Sequence, residues 1–435
     1  MAVTRRDQLP MNERESGNDQ PLSIGLISPA WPPAGRANGV ISYVDTLSRS
    51  LESLGHRVTI LCSNVSDSDR DPRVFRLARV SRRGPARRLS DWAWYRWAPQ
   101  IWKECRFDPE IGKAVARSVQ ERGIQVIDME ESFGWAEMIR QWSRIPVSVR
   151  LHGPWFMSGA VEGVPNNREY RKRVALEGEA IRNAVEVTAP SHDVLERTRT
   201  YYGLALENAK VIPNPTPHVP RENRWRSEDR DPGRIVFIGR FDRLKGGDLI
   251  IEAFARILRT FPDARLDFAG PDHNVIDDEG KRWDLASFVD ARIPGAREDG
   301  RVRLLGRVPY EDLPALRRQA SVTVVCSRYE TFGLTVSEAA VMGCPIVAAR
   351  VGGIPEILRD GVDGLLHQPG DAVDLADRIL ELLSDPGRAA EIGASAAVHC
   401  EREFDPIAIA SRLVEHYQQL INPKVRTGSV VRSAT

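Results

Sequence analysis

Residues 327–345 constrain the chain most. The β-branched run Val322–Val325 just before them reads as a buried strand. From about Phe332 the periodicity turns helical, until Gly343 and Pro345 stop it. Glu330 therefore falls in a strand-to-helix turn. Glu338, about two turns into the helix, is close enough in phase that both carboxylates can face one cleft at the carboxyl ends of the strands. The N–H groups of Thr331, Phe332, Gly333 and Leu334 are expected to open that helix, where its dipole favours an anion. Two acceptor-only carboxylates flanking a row of donors suit a ligand that combines hydroxyls with phosphates, as a sugar nucleotide does.

Elsewhere the chain repeats strand, loop and helix, the pattern of doubly wound parallel sheets. It begins with a strand at 22–28, a loop containing Gly35 and Gly39, and an apolar helical stripe through Val40, Val44, Leu47, Leu51 and Leu54. Glycines in that loop allow backbone to approach a ligand closely. Further strands are expected at 57–63, 74–80, 126–129, 146–151, 186–191 and 210–213, the fourth of them followed by His152-Gly153. Glu130 and Glu131 at another strand end could meet an acceptor hydroxyl, but read first as a solvated pair. Residues 216–233 are rich in Pro, Arg, Glu and Asp and read as a linker. The pattern restarts with a strand at 234–238, followed by Gly239, Arg240 and Lys245. Two cations five residues apart at a strand end make a diphosphate clamp, Arg as a planar fork and Lys as a point charge. Residues 271–300 read as an irregular insertion.

At 435 residues two domains are expected, and a formal net charge of +1 gives no global pull toward nucleic acid. The cysteines Cys62, Cys105, Cys326, Cys344 and Cys400 lack C-x-x-C spacing and read as reduced core residues. With a polar start and no long apolar run, the chain reads as a cytoplasmic protein.

The pattern S-x-x-E-x-F-G-L-x-x-x-E-A-x-x-x-G-x-P, with Glu330 and Glu338 as its acids and Val351-Gly352-Gly353-Ile354-Pro355-Glu356 after it, resembles the E-x7-E signature of retaining glycosyltransferases of family 4. Gly239, Arg240, Lys245 and Gly246 match that family's G-R-x-x-x-x-K-G residue for residue. The resemblance spans about 22–421. It implies the α/β GT-B fold, two Rossmann-like doubly wound domains facing a cleft. The expected organisation is a tail at 1–20, an acceptor domain at 21–215, the linker, a donor domain at 234–405, a helix at 406–421 crossing back to the first domain, and a tail at 422–435. It also implies roles. Glu338 would hold the ribose, Glu330 a sugar hydroxyl, and Arg240 and Lys245 the leaving diphosphate. The backbone of Thr331, Phe332, Gly333, Leu334 and Gly239 would serve the donor, and that of Val308 the base. Gly39 would lie by the phosphates, and His152 would reach toward the transferred sugar.

The implied activity is metal-independent, retaining transfer of a sugar from a UDP- or GDP-linked donor to an acceptor hydroxyl, in glycan, polysaccharide or glycolipid synthesis. No cofactor is expected beyond this co-substrate; the sequence is read as lacking a D-x-D, so no catalytic metal is implied. The competing readings are a sugar-nucleotide epimerase or phosphorylase of the same fold, and a non-catalytic sugar-nucleotide-binding protein. The family pattern leaves unexplained the Arg- and Trp-rich segment from Arg79 to Arg106. It suits peripheral contact with anionic lipid, recognition of an anionic acceptor, or plain packing.

Overall fold

The computed structural model describes residues 20–33, 38–77 and 109–423. The readings that fall on 1–19, on Gly35, on 78–106 (Cys105 included) and on 424–435 lie outside these residues.

In the first half, β1 (Ser23–Ile27), α1 (Gly39–Ser53), β2 (Arg57–Cys62) and β3 (Val74–Arg76) are followed by α2 (Pro109–Arg122), β4 (Val126–Glu130), α3 (Ala136–Ser143) and β5 (Val147–Arg150). Then come α4 (Trp155–Val161), α5 (Arg168–Asn183), β6 (Glu186–Ala189), α6 (His192–Tyr202) and β7 (Lys210–Val211). The strands form one sheet in the order β3-β2-β1-β4-β5-β6-β7, every pairing parallel. Strand order reverses beside β1, so the loops after β1 and β4 open a crevice at their carboxyl ends.

The second half repeats the plan with β8 (Arg234–Ile238), α7 (Gly247–Thr260), β9 (Arg265–Ala269), β10 (Val275–Ile276), β11 (Arg282–Trp283), α8 (Leu285–Arg292) and β12 (Val302–Gly306). It continues with α9 (Leu313–Arg318), β13 (Val322–Val325), α10 (Leu334–Val341), β14 (Ile346–Ala349), α11 (Ile354–Ile357), β15 (Leu365–His367), α12 (Ala372–Ser384) and α13 (Pro386–Glu403). The main sheet runs β12-β9-β8-β13-β14-β15, again parallel. Its switch point lies between β8 and β13. The loop after β8 carries Arg240 and Lys245, and the loop after β13 carries Glu330, so topology alone brings the two motifs side by side.

Each sheet is held by apolar helix faces. Ile250, Ile251, Phe254 and Ile257 of α7 are buried in one core with Phe237 and Phe268 of β8 and β9. A final helix, α14 (Pro406–Ile421), packs on the first half: Ile409, Leu413 and Tyr417 share a core with Val44, Leu47 and Leu51 of α1. Burial of each such side chain stabilises by about 1.5–3 kcal/mol. Polar contacts fix the helix further, Tyr417 donating to Asp128 at 2.9 Å and Ser148 Oγ lying 3.1 Å from His416 Nε2.

Two stretches are more ordered than the sequence suggests. Residues 271–300 contain the antiparallel pair β10/β11 and α8, whose N-cap Asp284 accepts the Ser287 N–H. In the 216–233 stretch Trp225 is buried, its indole N–H donating to Ala320 O at 2.7 Å. Four cysteines, Cys62, Cys326, Cys344 and Cys400, are buried. No helix among the described residues is long and apolar enough to cross a membrane.

Candidate active site

The turn after β8 is organised by one carboxylate. Asp242 accepts the Lys245 N–H at 2.7 Å through one oxygen and pairs with Arg240 Nε at 2.5 Å through the other. The two cations thus leave the sheet in a fixed relation. Lys245 Nζ donates to Glu330 Oε1 at 2.6 Å, and Ser327 Oγ donates to the same oxygen at 2.7 Å. Beyond Glu330 the chain passes through Gly333 at φ 109°, a conformation that side chains disfavour, and α10 begins. Val336 and Ser337 both bond back to Gly333 O, which leaves the N–H groups of Leu334 and Thr335 at the open end of the helix. In the second turn of α10, Glu338 accepts from buried Arg317 at 2.7 Å, and the Tyr310 hydroxyl bonds the same carboxylate.

The first half closes over this face. Asn38 caps α1 by accepting the Val40 N–H at 2.8 Å. A Cβ on Gly39 would stand 3.4 Å from Leu334 Cδ1, and one on Gly153 3.4 Å from Thr331 Cγ2, so the two halves touch at these glycines. His152 and Gly153 are set by Glu131, whose two oxygens accept their N–H groups at 2.8 Å each. The His152 ring meets Tyr43 edge-on, centroids 4.7 Å apart. Burial, and then the nearby Arg150 charge, hold its pKa well below the usual histidine range, so the imidazole is neutral. Arg150 lies over the Tyr43 ring and donates to Asn214 Oδ1 at 2.7 Å. From the end of α4, Glu162 reaches across to Arg240, 3.3 Å away.

These groups line one cleft of about 540 Å³. All the site residues read from the sequence face it: Arg240, Lys245, Glu330, Glu338, His152, the 331–334 turn, Gly239, Val308 and Gly39. The cleft therefore offers two cations, a helix start and two carboxylates on one wall. On the other it presents a neutral imidazole and the polar groups of Ser42, Ser158, Glu162 and Asn214. Such a site can neutralise a diphosphate and hydrogen-bond several hydroxyls at once.

Three expectations are corrected. Helix α10 starts at Leu334, not at Phe332, because Gly333 breaks the helical dihedrals; Glu338 is accordingly nearer its start, and Phe332 is buried against Phe404. Glu131 is not solvated but 2% exposed, held by the two N–H groups it orders. D-x-D tripeptides do occur, as Asp67/Asp69, Asp69/Asp71 and Asp229/Asp231, but none lines the cleft; Asp71, for example, pairs with Arg73 at 2.6 Å.

Two family models match the chain. The model described as Glycosyltransferase Family 4 covers residues 37–218, and that described as Glycosyl transferases group 1 covers 220–399. A protein of Corynebacterium kroppenstedtii named D-inositol 3-phosphate glycosyltransferase is 36% identical over 200 residues, 45% of this chain and 43% of its own length. The match thus spans less than half of that relative. A protein of the same name from Geodermatophilus obscurus is 28% identical over 459 residues, 100% of this chain and 97% of its own. Among solved structures, sucrose-phosphate synthase from Thermosynechococcus elongatus superposes with a TM-score of 0.70 at 24% identity, over 92% of this chain and 100% of that one. That similarity identifies the fold as GT-B.

Proposed function

The chain belongs to glycosyltransferase family 4 among the group 1 glycosyl transferases, and from that premise we propose that it moves a sugar, with retention of anomeric configuration, from a UDP- or GDP-sugar to an acceptor hydroxyl. The observation that carries this reading is the meeting of Arg240, Lys245, Glu330 and Glu338 around one cleft faced by His152. Glu338, held by Arg317 and Tyr310, presents its remaining lone pairs to the ribose. Arg240 and Lys245 receive the diphosphate, and Glu330 orients a sugar hydroxyl. Neutral His152 offers a hydrogen bond without adding charge beside the reacting carbon.

In the reaction the bond from the anomeric carbon to the diphosphate oxygen breaks, and the bond to the acceptor oxygen forms on the same face. The acceptor proton passes to the departing phosphate oxygen. Negative charge grows on that diphosphate, where each preorganised donor contributes about 3 kcal/mol. No residue on this path requires a metal ion. The acceptor is a polyol or glycan, and the names of the two relatives make inositol phosphates early candidates. We also propose a cytoplasmic enzyme of glycan or glycolipid synthesis, with contact to anionic lipid through the segment from Arg79 to Arg106.

A panel of UDP- and GDP-sugars, each with and without acceptor, tests the reading. A transferase turns over only when both substrates are present, whereas an epimerase needs no acceptor and a binding protein converts nothing.

A further inference from the structure

The turn that carries Glu330 is gripped from behind by residues to which no role has yet been given. Gly353 N–H donates to Glu330 O at 3.0 Å. Ser191, on the other half of the molecule and completely buried, donates its hydroxyl to Thr331 O at 2.6 Å. The same hydroxyl caps α6 by accepting the Val194 N–H at 3.3 Å. Beside it, the two oxygens of Glu356 accept the next free N–H groups of that helix, from His192 at 2.9 Å and Asp193 at 3.1 Å. Tyr329 completes the junction, its hydroxyl 3.0 Å from Asp193 Oδ2. The fit leaves no room for side chains: a Cβ on Gly352 would stand 1.8 Å from Glu330 O, and one on Gly353 2.6 Å from Thr331 O.

Peptide planarity turns this grip into an orientation. In a trans peptide the C=O and the following N–H point in opposite directions. With Glu330 O held by Gly353 and Thr331 O held by Ser191, the N–H groups of Thr331 and Phe332 must face away from both. Neither bonds an acceptor among the described residues. Both residues line the cleft.

We infer that Ser191 and Glu356 are positioning residues: by clasping the two halves together they aim the Thr331 and Phe332 N–H groups at the donor's phosphates. The inference rests on the proposed function for the identity of the anion, but the clasp itself does not. Donor capture is thereby coupled to the docking of the two halves, because Ser191 and Glu356 act from opposite sides of the junction. Opening the junction frees both carbonyls and lets the two peptide planes rotate.

The test uses the full chain with Ser191→Ala and, independently, Glu356→Gln, which keeps volume and one acceptor. Hydrogen exchange of peptides covering residues 191–195 and 351–355, whose Gly353, His192, Asp193 and Val194 N–H groups make the bonds of the junction, and calorimetric affinity for UDP and GDP, are measured for each. Loss of one such bond raises local opening about fivefold, so exchange of the Gly353 N–H and of the first N–H groups of α6 should rise by that factor in both variants. Nucleotide affinity should fall about tenfold, as for a lost charge-assisted hydrogen bond, with acceptor KM unchanged. Unchanged exchange in both variants overturns the clasp, and raised exchange with unaltered nucleotide affinity overturns its positioning role. Should the wild-type protein bind neither nucleotide, the functional reading fails, while the exchange result still decides for or against the clasp.

Discussion

Lys245 Nζ donates to Glu330 Oε1 at 2.6 Å across 85 residues of sequence, joining the two strand ends that flank the switch point of the second sheet. A cation so held keeps further N–H donors, and Lys245 lines the cleft, where a phosphate can accept from them. Lys245→Ala and Arg240→Ala are each expected to lower kcat by about 100-fold or more, the scale of losing one donor to a transition-state charge. Circular dichroism should show both variants folded, and near-normal kcat in both would remove the clamp.

Glu338 has two loads. It accepts from Arg317, which is 2% exposed, and it faces the cleft. Glu338→Ala strands a buried guanidinium and should cost about 3–5 kcal/mol of stability. Glu338→Gln keeps an acceptor, so it should fold better than the alanine variant while raising donor KM about tenfold, the cost of a hydrogen bond to a charged group. Thermal melts and donor titrations separate the two effects; equal melts for the two variants would show that Arg317 does not depend on this carboxylate.

Glu177 predicts how stability responds to pH. It accepts the Trp155 N–H at 2.8 Å, and burial, followed by the neighbouring Glu131 charge, pushes its pKa up to about 8. Glu130 is pushed up to about 7, burial again being the larger cause. In the unfolded chain both titrate near about 4.3. Across this window the folded state binds more protons, so the stabilisation is complete below about pH 4 and is lost as pH rises through about 8. Glu177→Gln keeps the acceptor and removes the titration, so its Tm should fall less steeply than wild type between about pH 5 and about pH 8.5. Parallel Tm curves would contradict this account.

These groups show what was legible in the sequence. Glu330 with Glu338, and Arg240 with Lys245, sit in contiguous strand–turn–helix patterns that place each pair at a strand end; that both pairs serve one site was implied by the family resemblance. Glu131 could not: two adjacent acids at a strand end look solvated until the next strand supplies the N–H groups of His152 and Gly153. Ser191 and Thr331, 140 residues apart, meet only because the two halves dock. Glu162 near Arg240 is likewise a product of that docking. The start of α10 is hidden from periodicity, because the apolar pattern runs through Phe332 while the backbone becomes helical only after Gly333.

The segment from Arg79 to Arg106 sets a separate test. Arg82, Arg83, Arg87 and Arg88 lie close in sequence to Trp92, Trp94, Trp97 and Trp102. Near an anionic surface each basic residue contributes about 1 kcal/mol. Co-sedimentation with anionic vesicles is expected at low salt, reduced at high salt and lost when the four arginines are replaced by alanine. Absence of binding under every condition would assign the segment to acceptor recognition or packing.

The most direct measurement is transfer itself: the intact protein incubated with UDP- and GDP-sugars and hydroxyl acceptors, inositol phosphates among them, with the product's anomeric configuration read by NMR. The expected result is transfer that requires both substrates, persists in EDTA and keeps the donor's configuration. An inverted product, or conversion of the donor sugar without an acceptor, would contradict it.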